Sequence, residues 1–87
     1  MKQLGEFKTT HAQVMVYDAE QNLLDTRIYV VKTITKRHEL IRFGNAQQVL
    51  NIIETYHSGV MWSGENRNEL NRLVNLLDRA RRENSRW

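Results

Sequence analysis

The sequence predicts an α+β domain in which a small antiparallel sheet of two to three strands packs on two C-terminal helices. Apolar and polar residues alternate in the manner of strands before Gly44 and follow a helical spacing after it. The strand-like segments all precede the helical ones, and this order predicts a two-layer α+β arrangement. With 87 residues, the chain has room for a single domain, 1–87.

Two segments of the first half are predicted strands. Residues 13–17 are rich in β-branched and aromatic side chains, and residues 24–31 repeat this character after a polar connection of hairpin length. A third strand over 38–43 is left open, because the sequence HELIRF also fits a helical turn.

Helices are predicted near 46–57 and 66–83. Asn45 can cap the first helix through its side-chain oxygen, and either Asn66 or Ser63 supplies the cap of the second. The apolar residues that recur at helical spacing are expected to be buried together: Leu50, Ile53, Leu70, Leu73 and Leu77.

The composition excludes several classes of protein. Because the chain has no cysteine, a disulfide framework and thiolate zinc sites are ruled out, and the reducing cytoplasm is the expected compartment. No apolar run approaches the roughly 18 residues of a membrane span, and the N-terminal segment lacks the apolar core of a signal peptide. The net charge of +3 permits a polyanionic partner without requiring one.

The sequence contains no recognisable catalytic or metal-binding constellation. The histidines, His11, His38 and His57, lie far apart and lack the spacing of metal ligands. Ser58 and Ser63 have no nucleophile elbow, and the isolated glycines form no phosphate-binding loop. We therefore expect the protein not to be an enzyme and to use no cofactor or metal.

The first candidate surface for a partner is aromatic. Alternation along the strands predicts that Tyr17 and Tyr29 share a face directed away from aliphatic residues such as Val30. Exposed tyrosine and tryptophan are common anchors of protein interfaces. Arg27 and Trp62 complete the predicted partner-binding set, with Trp62 between the helices either as a lid on the core or as such an anchor.

The second candidate surface is a stripe of arginines on the last helix. With a helical rotation of about 100° per residue, the face opposite the apolar residues carries Arg72, Arg79, Arg82 and Arg86. Arginine forks match carboxylates and phosphates, so this stripe is a candidate polyanion-binding site. The acidic residues between the arginines equally fit a solvated helix face with ion pairs along it.

Short similarities to a known family run through most of the chain. They are Thr10-His11, Val16-Tyr17, Arg27, Val30-Val31, Phe43, Ala46-Gln47-Gln48, Ser63-Gly64 and Arg81-Arg82-Glu83-Asn84. With this layout, the chain resembles a small phage-encoded anti-CRISPR family directed at type I-F systems, whose fold is an antiparallel sheet plus two C-terminal helices.

The resemblance implies a protein that binds the backbone subunits of a CRISPR surveillance complex and blocks pairing with target DNA. Tyr17 matches a tyrosine of the family's contact surface, at the end of the first predicted strand. The family's acidic contact in the second strand has no counterpart in this chain, because Tyr29 stands at its place. Phe7 is the nearest match to an N-terminal aromatic contact of the family.

Two hypotheses follow from the residues and the resemblance. The first is a phage or mobile-element inhibitor that binds a protein or ribonucleoprotein target, with the CRISPR surveillance complex as the implied partner. The second is a small nucleic-acid-binding regulator that uses the C-terminal arginine helix. Neither involves a membrane, and either a monomer or a homodimer is compatible with the sequence.

Overall fold

The computed structural model describes residues 1–61 and 63–84, in which an antiparallel sheet packs on two helices. The strands are β1 (Lys2–Lys8), β2 (Gln13–Leu23), β3 (Thr26–Ile34) and β4 (Glu39–Gly44), and the helices are α1 (Ala46–Tyr56) and α2 (Gly64–Asn84). The predicted α+β class is confirmed. The described residues form a sheet of four strands rather than two to three, and β4 is the strand that was left open.

The strands follow one another across the sheet in the order β1-β2-β3-β4, and each neighbouring pair is antiparallel. The β1 ladder begins at Asp18 of β2, and the β4 ladder ends at Tyr29 of β3. Beyond these residues the β2–β3 hairpin projects as a two-stranded arm. Leu24 and Asp25 form its turn with φ angles of 51° and 63°, in the left-handed region.

Both helices begin at side-chain caps. The Asn45 side chain accepts a hydrogen bond from the Gln48 N–H at 2.9 Å, and the Gln48 side chain accepts one from the Asn45 N–H at 2.8 Å. This reciprocal pair is a capping box, which satisfies two otherwise free donors at the start of α1. At the start of α2, Ser63 Oγ accepts a hydrogen bond from the Asn66 N–H at 3.2 Å. Of the two predicted candidates, Ser63 is therefore the residue that caps the helix.

The core lies between the helices and the face of the sheet that they cover, here called the inner face. The sheet contributes Phe7, Val14, Val16, Tyr29 and Val31, and the helices contribute Ala46, Val49, Ile53, Leu70, Leu73 and Leu77. The sequence-based core is confirmed for all its members except Leu50, which is half-buried at the margin of this cluster.

The strand β1 was not predicted, because its sequence KQLGEFK is mostly polar and has no clear apolar alternation. Its inner-face positions are Gly5 and Phe7, opposite Val16 and Val14 of β2. A β-carbon at Gly5 would lie 2.9 Å from Cγ of Leu73 on α2. The glycine therefore lets the helix lie directly against the strand, a close approach that only the tertiary structure reveals.

Candidate functional site

The face of the sheet turned away from the helices, here called the outer face, carries a cluster of apolar side chains. The register places Tyr17, Val30 and Phe43 side by side across β2, β3 and β4. In the next row, Met15 of β2 and Ile41 of β4 lie on either side of Lys32 of β3. Because side chains alternate between the faces of a strand, all of these point to the outer face.

The exposure of these residues shows how the cluster is built. Val30 is only 3% exposed, although it points away from the helices, because Tyr17 and Phe43 flank it on the neighbouring strands. Phe43 is 70% exposed and Ile41 is 52% exposed. Tyr17 is half-buried, and its hydroxyl donates to Met15 Sδ at 3.6 Å. The cluster therefore has a packed base and presents apolar surface at β4.

An ion pair borders this cluster on the outer face. Lys32, between Met15 and Ile41, places its Nζ 2.9 Å from Glu39 Oε1. The hydrogen bond to Glu39 raises the pKa of Lys32 above its ordinary value, with the attraction of that carboxylate as the second cause. The lysine thus stays charged in the neutral pH range, and its aliphatic stem lies alongside the apolar residues.

The prediction that Tyr17 and Tyr29 share a face is wrong. Tyr17 is paired with Val30, so the adjacent Tyr29 points to the inner face, where it is 3% exposed within the core. Burial raises the pKa of the Tyr29 phenol, and the carboxylate of Asp18 adds to the effect. The alternation along β3 was assigned correctly, but Tyr29 and Val31, rather than Val30, belong to the side that the helices cover.

Arg27 lies at the base of the projecting arm. Its guanidinium forms an ion pair with the Asp18 carboxylate, which also accepts a hydrogen bond from the Glu20 N–H at 2.7 Å. The hydrogen bond to Asp18 raises the pKa of Arg27 above its ordinary value. Because Arg27 lies on the inner side with Tyr29, it is separate from the outer-face cluster and braces the arm instead.

The arginines of α2 are largely engaged with carboxylates. Arg72 donates to Glu69 at 2.8 Å and also to the main-chain carbonyl of Leu4, so it links α2 to β1. Arg82 lies 3.1 Å from the Asp78 carboxylate. Arg79 is exposed on the same helix. These ion pairs fit the solvated-face interpretation of the stripe.

Two predicted site residues, Trp62 and Arg86, lie outside the described residues. Conversely, sequence reasoning missed Phe43 and Ile41 as members of a candidate site. The available signal was their spacing, because residues two apart on β4 share a face and both are apolar.

The helices enclose a shallow groove at their own interface. It has a volume of about 310 Å³ and is lined by apolar side chains of both helices together with Glu54, His57 and Asn71. Among residues 1–61 and 63–84, no group of three or more histidine, cysteine, aspartate or glutamate side chains is arranged to hold a metal ion.

Comparisons with known protein families, with curated proteins and with solved structures gave no match to this chain. Within the described part of the chain, no helix combines the length and the apolar character needed to cross a membrane. The candidate site that the geometry defines is therefore the outer-face cluster, considered on its own chemistry.

Proposed function

We propose that this protein acts by stoichiometric binding to a protein or ribonucleoprotein target, without catalysis, through the outer face of its sheet. The observation that carries the proposal is the cluster of Tyr17, Ile41 and Phe43 on a face that the helices leave open. Large exposed apolar side chains around a packed base are typical of protein-binding surfaces. Aromatic residues at such positions commonly dominate the binding energy.

The resemblance to the type I-F anti-CRISPR family makes the proposal more specific. The target is then a CRISPR surveillance complex in the cytoplasm of the host of a phage or mobile element. The protein would bind its backbone subunits and block pairing with target DNA. Tyr17, which matches a contact tyrosine of that family, lies on the outer face next to Val30. This identification of the target rests on the resemblance alone.

A nucleic-acid-binding role for the arginine helix is the second candidate and has less support. Arg72 and Arg82 are paired with Glu69 and Asp78, which lowers the net positive charge that the helix presents to a phosphate backbone. Binding of this kind would weaken steeply with added salt, whereas binding through an apolar face would change little.

The proposal is tested by measuring how Tyr17→Ala and Phe43→Ala bind a purified type I-F surveillance complex, by calorimetry or pull-down. Loss of a central aromatic anchor should weaken binding by about 2 kcal/mol or more, which corresponds to roughly 30-fold in Kd. Leu23→Ala is a matched control, because Leu23 is also an exposed apolar residue but lies at the tip of the arm. Thermal melts establish that each variant is folded.

Reversal of charge at Arg79 and Arg82 provides the opposing test. On the outer-face proposal, a variant with both arginines changed to glutamate binds nearly as well as the wild type, since peripheral charges mainly alter association rates. If this variant lost binding while Tyr17→Ala and Phe43→Ala retained it, the arginine helix would be the functional surface. Failure of the wild type to bind the complex would rule out this target.

A further inference from the structure

The two edges of the sheet differ in how they are protected. At the β1 edge, the Met61 N–H donates to the Lys8 carbonyl at 3.1 Å, and the Asn66 amide donates to the same carbonyl at 3.0 Å. Arg72 donates to the Leu4 carbonyl further along the strand. Main-chain groups at this edge therefore already have partners from the rest of the chain.

The β4 edge is open in the part of the chain that the structure describes, where β4 pairs with β3 alone. The turn between them is closed by a hydrogen bond from the Thr35 N–H to the His38 carbonyl at 3.0 Å. Since hydrogen-bonded and non-bonded pairs alternate along an antiparallel ladder, the main-chain groups of Glu39, Ile41 and Phe43 point away from β3. Each of these residues offers one donor and one acceptor at the edge.

β4 carries two charged residues, Glu39 and Arg42, but it lacks two other features that usually prevent edge pairing, a β-bulge and a proline. Its ladder with β3 has no register shift, and the chain contains no proline. Ile41 and Phe43 are exposed, and Leu40 is 38% exposed on the other face. An exposed, regular and apolar edge strand is a template for pairing with another strand.

We propose that β4 pairs antiparallel with β4 of a second copy of this chain, about a two-fold axis at Ile41. In this register, Ile41 lies opposite Ile41 of the second copy, and Glu39 lies opposite Phe43 of the second copy. Every edge-facing donor and acceptor of these residues then has a partner, so the strand is complementary to itself.

The charges on β4 select this register over its neighbour. With the axis at Ile41, Arg42 lies opposite Leu40 of the second copy, and its aliphatic stem can pack there. A shift of the axis to Arg42 would place the two arginines opposite each other, which is unfavourable for like charges in a sheet. The pairing joins the two outer faces into one sheet surface, with Ile41 at its centre. The inference depends on β4 alone and not on the proposed target.

Measurement of the oligomeric state tests this inference directly. In light scattering coupled to size exclusion, the wild type should approach twice the single-chain mass of 10.4 kDa as concentration rises and return toward it on dilution. Ile41→Pro removes an edge-facing N–H that is not used by the ladder with β3, so the fold is retained and the pairing is lost. Ile41→Lys brings two positive charges together at the axis and should also remain a single chain.

Leu23→Lys is the matched control, because it places the same charge on an exposed leucine far from β4. It should dimerise like the wild type. Hydrogen exchange supplies a second readout: the amide of Ile41 should become protected as concentration rises, whereas that of Leu40, already bonded to β3, should not change. This readout uses the wild type and holds even where Ile41→Pro fails to fold.

A wild type that stays a single chain at all concentrations overturns the inference. So does a dimer that persists in Ile41→Lys, or one in which the Ile41 amide exchanges at the same rate at low and high concentration. Loss of the dimer in Leu23→Lys would assign the contact to the arm instead. None of these results bears on binding to the proposed target, so the two proposals can fail separately.

Discussion

Truncation of Leu73 to alanine is the most direct test of how the two layers are joined. Leu73 is completely buried and lies on α2 against the backbone of Gly5 in β1. The variant Leu73→Ala removes side-chain atoms from a place where α2 and β1 lie in close contact. Because strand β1 is held in the sheet by its ladder with β2, it cannot easily move to fill the cavity.

The expected loss can be estimated from this setting. Replacement of a buried leucine by alanine costs about 2–5 kcal/mol, with the higher values at sites that do not collapse. The rigid strand and the complete burial place Leu73 in the upper half of that range, about 3–5 kcal/mol. Such a loss is a large fraction of the roughly 5–15 kcal/mol that stabilises a typical domain. For a domain of this size it lowers Tm by at least about 12 °C.

Thermal and denaturant unfolding followed by circular dichroism measure this loss. Leu76→Ala is the matched control, since it makes the same chemical change on the same helix at a half-buried position. It should cost about half as much or less, because less apolar area is removed from contact. A Tm for Leu73→Ala within about one degree of the wild type, or a loss equal to that of Leu76→Ala, would show that the buried face of α2 is assigned wrongly.

Two further predictions concern the arm and the buried tyrosine. Replacement of the turn pair by Leu24→Asn and Asp25→Gly should stabilise the protein by about 1–2 kcal/mol, because these residues adopt the left-handed conformation at lower cost. A Tm that is unchanged or lower would contradict the turn geometry. In the folded state, burial and, after it, the Asp18 carboxylate raise the pKa of the Tyr29 phenol above its ordinary value of 10.0. Its contribution to stability is therefore full below about pH 10 and is lost as the pH rises through the folded-state pKa. In denaturant unfolding, the free energy of unfolding should therefore fall less steeply with alkaline pH in Tyr29→Phe than in the wild type. Because Lys32 is present in both proteins, the difference belongs to Tyr29. Equal slopes of the two proteins would refute this prediction.

The helical half of the fold was the part that the sequence predicted best. The apolar spacing on α2 identified Leu70, Leu73 and Leu77 as one buried face, and this is confirmed. The cap at Asn45 was also predicted correctly, because a cap depends on a few neighbouring residues. Helix periodicity and capping are local properties, so neither required knowledge of the partner layer.

The sheet could be predicted from the sequence only in part. Alternation along β3 correctly separated Tyr29 and Val31 from Val30, but both groups contain apolar residues, so the pattern did not indicate which side the helices would cover. The same ambiguity placed Tyr29 beside Tyr17 on the candidate surface. The exposed members of the outer-face cluster, Ile41 and Phe43, became visible as neighbours of Tyr17 only through the strand register.

By itself, the sequence determined the α+β class, the positions of both helices and most of the residues that the helices contribute to the core. These follow from local spacing and from the need to bury apolar residues. The tertiary structure decided that the polar segment Lys2–Lys8 is a strand, that Tyr29 is buried and that, among the described residues, β4 pairs with β3 alone. Each of these depends on which elements lie side by side, because pairing partners and helix coverage are contributed by residues distant in the chain.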